Sequence, residues 1–151
     1  MNSTKLEWLR EELLALEAAA GYLDFSLQRC RSLIGRDSWS PEELERLESL
    51  TSRFARLSDL LVQRIFRLID DIELIGSGTI LDRIMRAEKR GWGKAAEMIK
   101  IRELRNLIAH EYADDQMASI HTEVAALSPS LLETIPKVVA YGNELIRRYP
   151  A

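Results

Sequence analysis

Cysteine is almost absent from this 151-residue chain; Cys30 is the only one. An intrachain disulfide is therefore excluded, and so is a zinc site built on cysteine pairs. Set among Phe25, Leu27 and Leu33, Cys30 reads as a packed thiol. Histidine is scarce as well, with His110 and His121 the only two. That is too few for a zinc site without cysteine beside them, and no metal is expected. Long apolar runs are missing: nothing approaches the roughly 20 residues of a membrane span. Met1-Asn2-Ser3-Thr4-Lys5-Leu6-Glu7-Trp8 lacks the apolar core of a signal peptide, so the cytoplasm is the expected location and no membrane partner is expected. Strand-type alternation, internal repeats and low-complexity tails are also lacking. Gly76-Ser77-Gly78 has neither the lysine nor the length of a phosphate-binding loop, and no cofactor is expected. Positive charge is not in excess: the net charge is −3 and the pI about 5.5. This argues against a constitutively basic nucleic-acid binder and leaves room for a local basic cleft.

What is present is helical patterning. Hydrophobic residues make up 46% and charged residues 30%, which suits one globular domain, residues 1–151. A chain of this length buries about 68–70% of its unfolded surface, enough for a core. Leu6, Leu9, Leu13, Leu16, Ala20, Leu23, Leu27 and Cys30 recur at three- and four-residue steps and predict a helix from Thr4 to Ile34, capped by Ser3 or Thr4 and stopped by Gly35. Ser40-Pro41-Glu42-Glu43 starts a second long helix that runs to about Leu74. The short link between them predicts an antiparallel pair. Their stripes read as core, with some apolar surface left for a dimer face. A shorter helix is predicted over Ile80–Lys89, capped by Ser77 or Thr79, and a turn at Arg90-Gly91-Trp92-Gly93. A further helix is predicted from Lys94 to Tyr112. Gln116 to Arg148 reads as helical with an interruption, because Ser128-Pro129 resembles a fresh start and Pro136 should kink or delay the helix beyond it. The expected fold is all-α: an up-and-down bundle of four to six helices with two long N-terminal antiparallel helices.

One stretch carries unusual chemistry, Ile101-Arg102-Glu103-Leu104-Arg105-Asn106-Leu107-Ile108-Ala109-His110-Glu111-Tyr112. On a continuous helix Glu103, Asn106 and His110 share one stripe, while Leu104, Leu107 and Ile108 form another that should face the core. Arg105 and His110 lie about 140° apart and flank Asn106. One helix cannot easily aim both at one atom; two copies facing each other across a cleft could. Metal-independent chemistry at a phosphate needs a base, an acid and a cation at the phosphorane. An imidazole titrating near pH 6.5 can be base or acid. A guanidinium offers a fixed cationic fork for phosphate oxygens. Arg83, Arg86, Lys89 and Arg90, with Lys94, Lys100 and Arg102, make a basic neighbourhood leading into this stretch, the expected surface for a polyanion.

The run Arg105-Asn106-Leu107-Ile108-Ala109-His110-Glu111-Tyr112 resembles the signature of the HEPN superfamily, an arginine followed after four to six residues by a histidine. With Asn after Arg and Tyr two past His, it is similar to the small toxins paired with minimal nucleotidyltransferases in toxin–antitoxin systems. The resemblance covers about Arg67 to Tyr112; Lys100 and Ile101 stand where relatives often carry an aromatic. It implies a metal-independent endoribonuclease that acts as a homodimer and leaves 2′,3′-cyclic phosphate and 5′-hydroxyl ends. Carried over by residue, Arg105 and His110 would be catalytic, Asn106 and Glu103 auxiliary, and Arg90, Lys100 and Arg102 RNA-binding. Tyr112 would be the residue that a nucleotidyltransferase antitoxin adenylylates to silence the enzyme.

Other readings of the same residues stand beside this one. Arg105 fits an ion pair with Glu103 or with an acid on another helix. Tyr112 fits a core-edge aromatic and His121 a surface residue. Asp70, Asp71 and Glu73 fit a solvated helix face rather than a cation site. The whole chain fits a non-catalytic nucleotide- or substrate-binding subunit of a nucleotidyltransferase complex, or a structural dimer.

Overall fold

Capping chemistry places the helix starts. The computed structural model describes residues 3–76, 78–110 and 114–149, with the backbone alone at 114 and 115. Helix α1 spans Ser3–Cys30 and tightens into a 3₁₀ turn, Arg31–Leu33. Its expected stripe is buried, except that Ala19 takes the core position and Ala20 packs at the edge. Cys30 is buried and its thiol donates to the Arg46 carbonyl at 3.3 Å; burial pushes its pKa up. Helix α2, Pro41–Ser58, begins with a complete capping box. Ser40 Oγ accepts from the Glu43 N–H, and the Glu43 carboxylate accepts from the Ser40 N–H at 2.8 Å. Arg36 clamps the same carboxylate, and Arg36 and the Ser40 amide together hold its pKa down to about 2.

The second long helix changes pitch in the middle. Asp59–Ile65 is π-helical: the Phe66 N–H bonds the Leu61 carbonyl, five residues back. Helix α3, Phe66–Ile72, then resumes the ordinary pitch. The long helix over residues 41–72 stops just short of the expected Leu74, which adopts φ 60° at its end. Contacts run in opposite senses along the two long helices. Arg46 meets Cys30, Arg53 meets Ser26 and Arg64 meets Glu12, so the pair is antiparallel.

Helix α4, Ile80–Lys89, is capped by Thr79, whose hydroxyl accepts from the Asp82 N–H. Gly91, at φ 82°, makes the turn that sequence patterning predicts. Helix α5, Ala95–Ala109, has no side-chain cap at Lys94; the Glu88 carboxylate takes the Ala95 N–H instead, at 2.8 Å. It ends earlier than the expected Tyr112, because His110 already has extended backbone angles.

Helix α6, Asp114–Arg148, is continuous, so the interruption expected at Ser128-Pro129 does not occur. Pro129 and Pro136 both lie on the exposed face of the helix, where their rings meet no core side chain. Ser128 turns inward and donates to the Val124 carbonyl at 2.6 Å rather than capping a new helix. Gly142 lets α6 close on α1: a Cβ there would stand 2.7 Å from Leu13 Cδ1. The described residues contain helices and no strand, which makes the fold an all-α bundle. No helix among them is long and apolar enough to cross a membrane.

Polar residues tie the α3–α4 end together. Asp70 is only 1% exposed, not part of a solvated face. It accepts from Arg86 at 2.9 Å and from Arg90 at 3.1 Å, and Arg90 also reaches Glu73 at 2.7 Å. The Arg90 guanidinium stacks over Trp92 and Tyr141, whose hydroxyl donates to Glu73. His121 is buried as well, not at the surface. It meets Trp39 edge-on at 5.6 Å, and neither ring nitrogen has a hydrogen-bond partner.

Candidate functional site

Arg105 sits midway around α5, on the side that faces the π-helical stretch. Its Nε and Nη2 donate to the two carboxylate oxygens of Asp59 at 2.6 and 2.9 Å, a planar fork on a planar acceptor. The Nη1 edge reaches Asn106 Oδ1 at 3.4 Å. The guanidinium has five N–H bonds, so one on Nη1 and one on Nη2 remain for a ligand. Asp59 raises the Arg105 pKa through the hydrogen bonds, ensuring a permanent cation. The pair is part-exposed, 26% for Arg105 and 37% for Asp59.

Asp59 opens the π turn. Leu60, Leu61, Val62 and Ile65 stay buried while Asp59 and Gln63 turn outward. The result is a cleft of about 690 Å³ lined by Arg56, Asp59, Leu60, Gln63, Arg64 and Arg105. Three guanidinia against one carboxylate make it locally cationic in an acidic chain. Arg64 is only loosely held, 3.7 Å from Glu12.

The other sequence-derived residues divide into three groups. His110 lies at the C-terminal end of α5, exposed, its backbone N–H bonding Leu107. Among the described residues nothing orients its imidazole. It no longer shares a helical stripe with Glu103 and Asn106, since the helix stops one residue earlier. Lys100 and Glu103 face a different groove, between α5 and α6, with Leu107 and Glu123. Leu107 is 42% exposed there, not in the core, while Leu104 is buried and Ile108 half-buried. Arg102 is half-buried on α5. Arg90, expected at an RNA-facing surface, is engaged by Asp70 and Glu73 with only 12% of its side chain exposed. Arg86 is committed to Asp70 in the same way. Tyr112 lies outside the described residues.

Sequence reasoning anticipated an acid on another helix for Arg105 but could not name it. Asp59 lies 46 positions upstream. It carries no distinguishing sequence signal, since it continues the polar face of Arg46, Ser49, Arg53 and Arg56 on an amphipathic helix. Arg56 and Arg64 were missed for the same reason. No group of three or more metal-ligating side chains occurs among the described residues. No protein-family model, curated protein or solved structure matches this chain.

Proposed function

We propose that this chain is a metal-independent endoribonuclease toxin, acting in the cytoplasm as a homodimer and restrained by a nucleotidyltransferase antitoxin. The observation that carries the reading is the Asp59–Arg105–Asn106 constellation in an open arginine-lined cleft, with His110 exposed about 7.5 Å further along the helix direction. Asp59 orients Arg105 without covering its outer N–H groups, so the fork can take two oxygens of a scissile phosphate. One His110 would abstract the 2′-hydroxyl proton. A second, from the partner copy, would protonate the departing 5′-oxygen. Charge on the phosphorane would build beside Arg105. Asn106 would steady the fork or a phosphate oxygen. Tyr112, two residues past His110, would be the adenylylation site; the added bulk and negative charge would repel RNA from the cleft.

A second reading has its own observation. Arg105 is already half-engaged by Asp59, and His110 has no orienting partner among the described residues. Those features suit a subunit that holds a phosphate and breaks no bond. RNA incubated in EDTA with wild type, Arg105→Ala and His110→Ala separates the two. Cleavage by wild type alone, leaving cyclic-phosphate ends, is the expected result. No cleavage by protein of unmodified intact mass would leave the binding-subunit reading. A mass heavier by AMP units would report the silenced form.

A further inference from the structure

The groove-facing stripe of α2 holds more cationic groups than the fold uses. Arg46, Ser49, Arg53 and Arg56 follow one another at three- and four-residue steps and end at Asp59, the partner of Arg105. Three hollows open along this stripe. The first, about 360 Å³ between α1 and α2, is lined by Phe25, Arg29, Arg46 and Arg53 among others. The second shares Arg53 with it and adds Arg56. The third is the Arg105 cleft, which shares Arg56 with the second. Successive hollows thus join into a track of about 20 Å from Arg46 to Asp59.

Among the described residues, Arg29, Arg46, Arg53 and Arg56 form no ion pair. Arg53 bonds two neutral acceptors, the Tyr22 carbonyl and the Ser26 hydroxyl, and keeps its charge uncompensated. Glu42, Glu45 and Glu48 border the first two hollows without reaching these guanidinia. Elsewhere among the described residues Arg36, Arg86 and Arg90 are paired, while Arg10, Arg31, Arg67, Arg83 and Arg102 form no ion pair; the track differs in gathering its unpaired guanidinia along neighbouring hollows. Four guanidinia without a direct ion pair, beside glutamates that offset their charge only in part, do nothing for the core. Exposed aromatics accompany them. Phe25 is 55% exposed with the Arg29 guanidinium 5.4 Å above its ring, and Tyr22 is 57% exposed with Arg53 in the same relation. Alternating aromatic faces and guanidinia are what single-stranded nucleic acid requires. Bases stack on the rings, and phosphates meet the cations without sequence readout.

We infer that this track, from Phe25 and Arg29 through Arg46 and Arg56 to Arg105, is the path by which single-stranded RNA is held and led to the cleft. The identification of the polyanion as RNA rests on the ribonuclease reading above. The track itself rests on geometry and charge. Binding should be weak and strongly salt-dependent, because it is made of phosphate contacts partly offset by neighbouring glutamates.

Fluorescence anisotropy with a short labelled 2′-O-methyl oligoribonucleotide, which has no free 2′-hydroxyl to attack, reads binding by the intact protein. Arg29→Ala with Arg46→Ala should weaken binding at least tenfold and reduce the salt slope by roughly 0.7 for each phosphate that is no longer neutralised. Arg147→Ala, which removes one positive charge outside the track from a residue paired with Glu144 on the same helix, should change neither. Circular dichroism and melting of the double variant should match wild type, because neither side chain forms an ion pair. Unchanged affinity and slope in the double variant would overturn the track. So would loss of dimerisation on sedimentation, which would make Tyr22 and Phe25 an interface between copies instead. In the cleavage assay the double variant should raise KM with kcat kept. Track-dependent binding without cleavage by wild type would remove the nuclease reading and leave the track standing.

Discussion

A buried histidine with two unsatisfied nitrogens costs stability in a pH-dependent way. Burial lowers the His121 pKa, and the charge of Glu48 offsets this only in part. In the unfolded chain His121 titrates near 6.5. Below that pH the unfolded chain binds a proton that the folded one refuses, so stability should decline as pH falls from 6.5 towards the lower folded value. His121→Leu should raise stability by about 1 kcal/mol at pH 7, by removing two orphaned polar atoms, and should flatten this acid slope. Chemical denaturation between pH 5 and 8 checks both. Leu74 is strained rather than unsatisfied. It is 88% exposed at φ 60°, so its side chain contributes little packing while its backbone costs energy. Leu74→Gly should stabilise by about 1 kcal/mol, seen as a higher melting temperature. At the candidate site, Asp59→Asn weakens the clamp on Arg105 but keeps its charge. It should lower kcat while Arg105→Ala abolishes cleavage, by about 100-fold or more. Equal kcat for Asp59→Asn and wild type would show that Asp59 does not position the guanidinium.

Two elements depart from regular helix, with different consequences. The π stretch Asp59–Ile65 keeps Leu60, Leu61, Val62 and Ile65 on the buried side of the long helix. Helix α6 absorbs two prolines because both occupy its wet face. Pro136→Ala restores a backbone hydrogen bond without disturbing packing. It should raise stability by about 1–3 kcal/mol, measured by thermal or urea unfolding. A loss of stability would mean that the ring makes a contact worth more than the bond. The helix periods, the caps at Ser40 and Thr79 and the turn at Gly91 were all legible in the chain, because each depends on residues within a few positions. The end of α5 was not: nothing local distinguishes Ala109 from Tyr112 as a stopping point, and helix ends fray by one or two residues.

On the scale of the whole molecule, arginines serve two purposes that composition cannot separate. Arg86 and Arg90 compensate the buried Asp70 and, with Glu73, Trp92 and Tyr141, tie α3, α4 and α6 together. Arg46 and Arg56 form no ion pair among the described residues and line open hollows. Arg90→Ala should lower stability by about 3–5 kcal/mol, because it strips a buried carboxylate of one partner. RNA binding by the fraction still folded should stay unchanged. Arg56→Ala should do the reverse, keeping the melting temperature and losing affinity. Melting and anisotropy on the two proteins together check the division.

The sequence by itself determined the helical class, the two long antiparallel N-terminal helices with their core stripes, and the run from Arg105 to His110, since all follow from local period, capping and identity. Tertiary structure alone decided which charges are paired. Asp59 meets Arg105 across 46 positions, Asp70 draws Arg86 and Arg90 inward, and Lys100 and Glu103 turn to a groove away from Arg105. A desolvated carboxylate must be paired wherever the packing puts it, and that placement depends on which helix faces which.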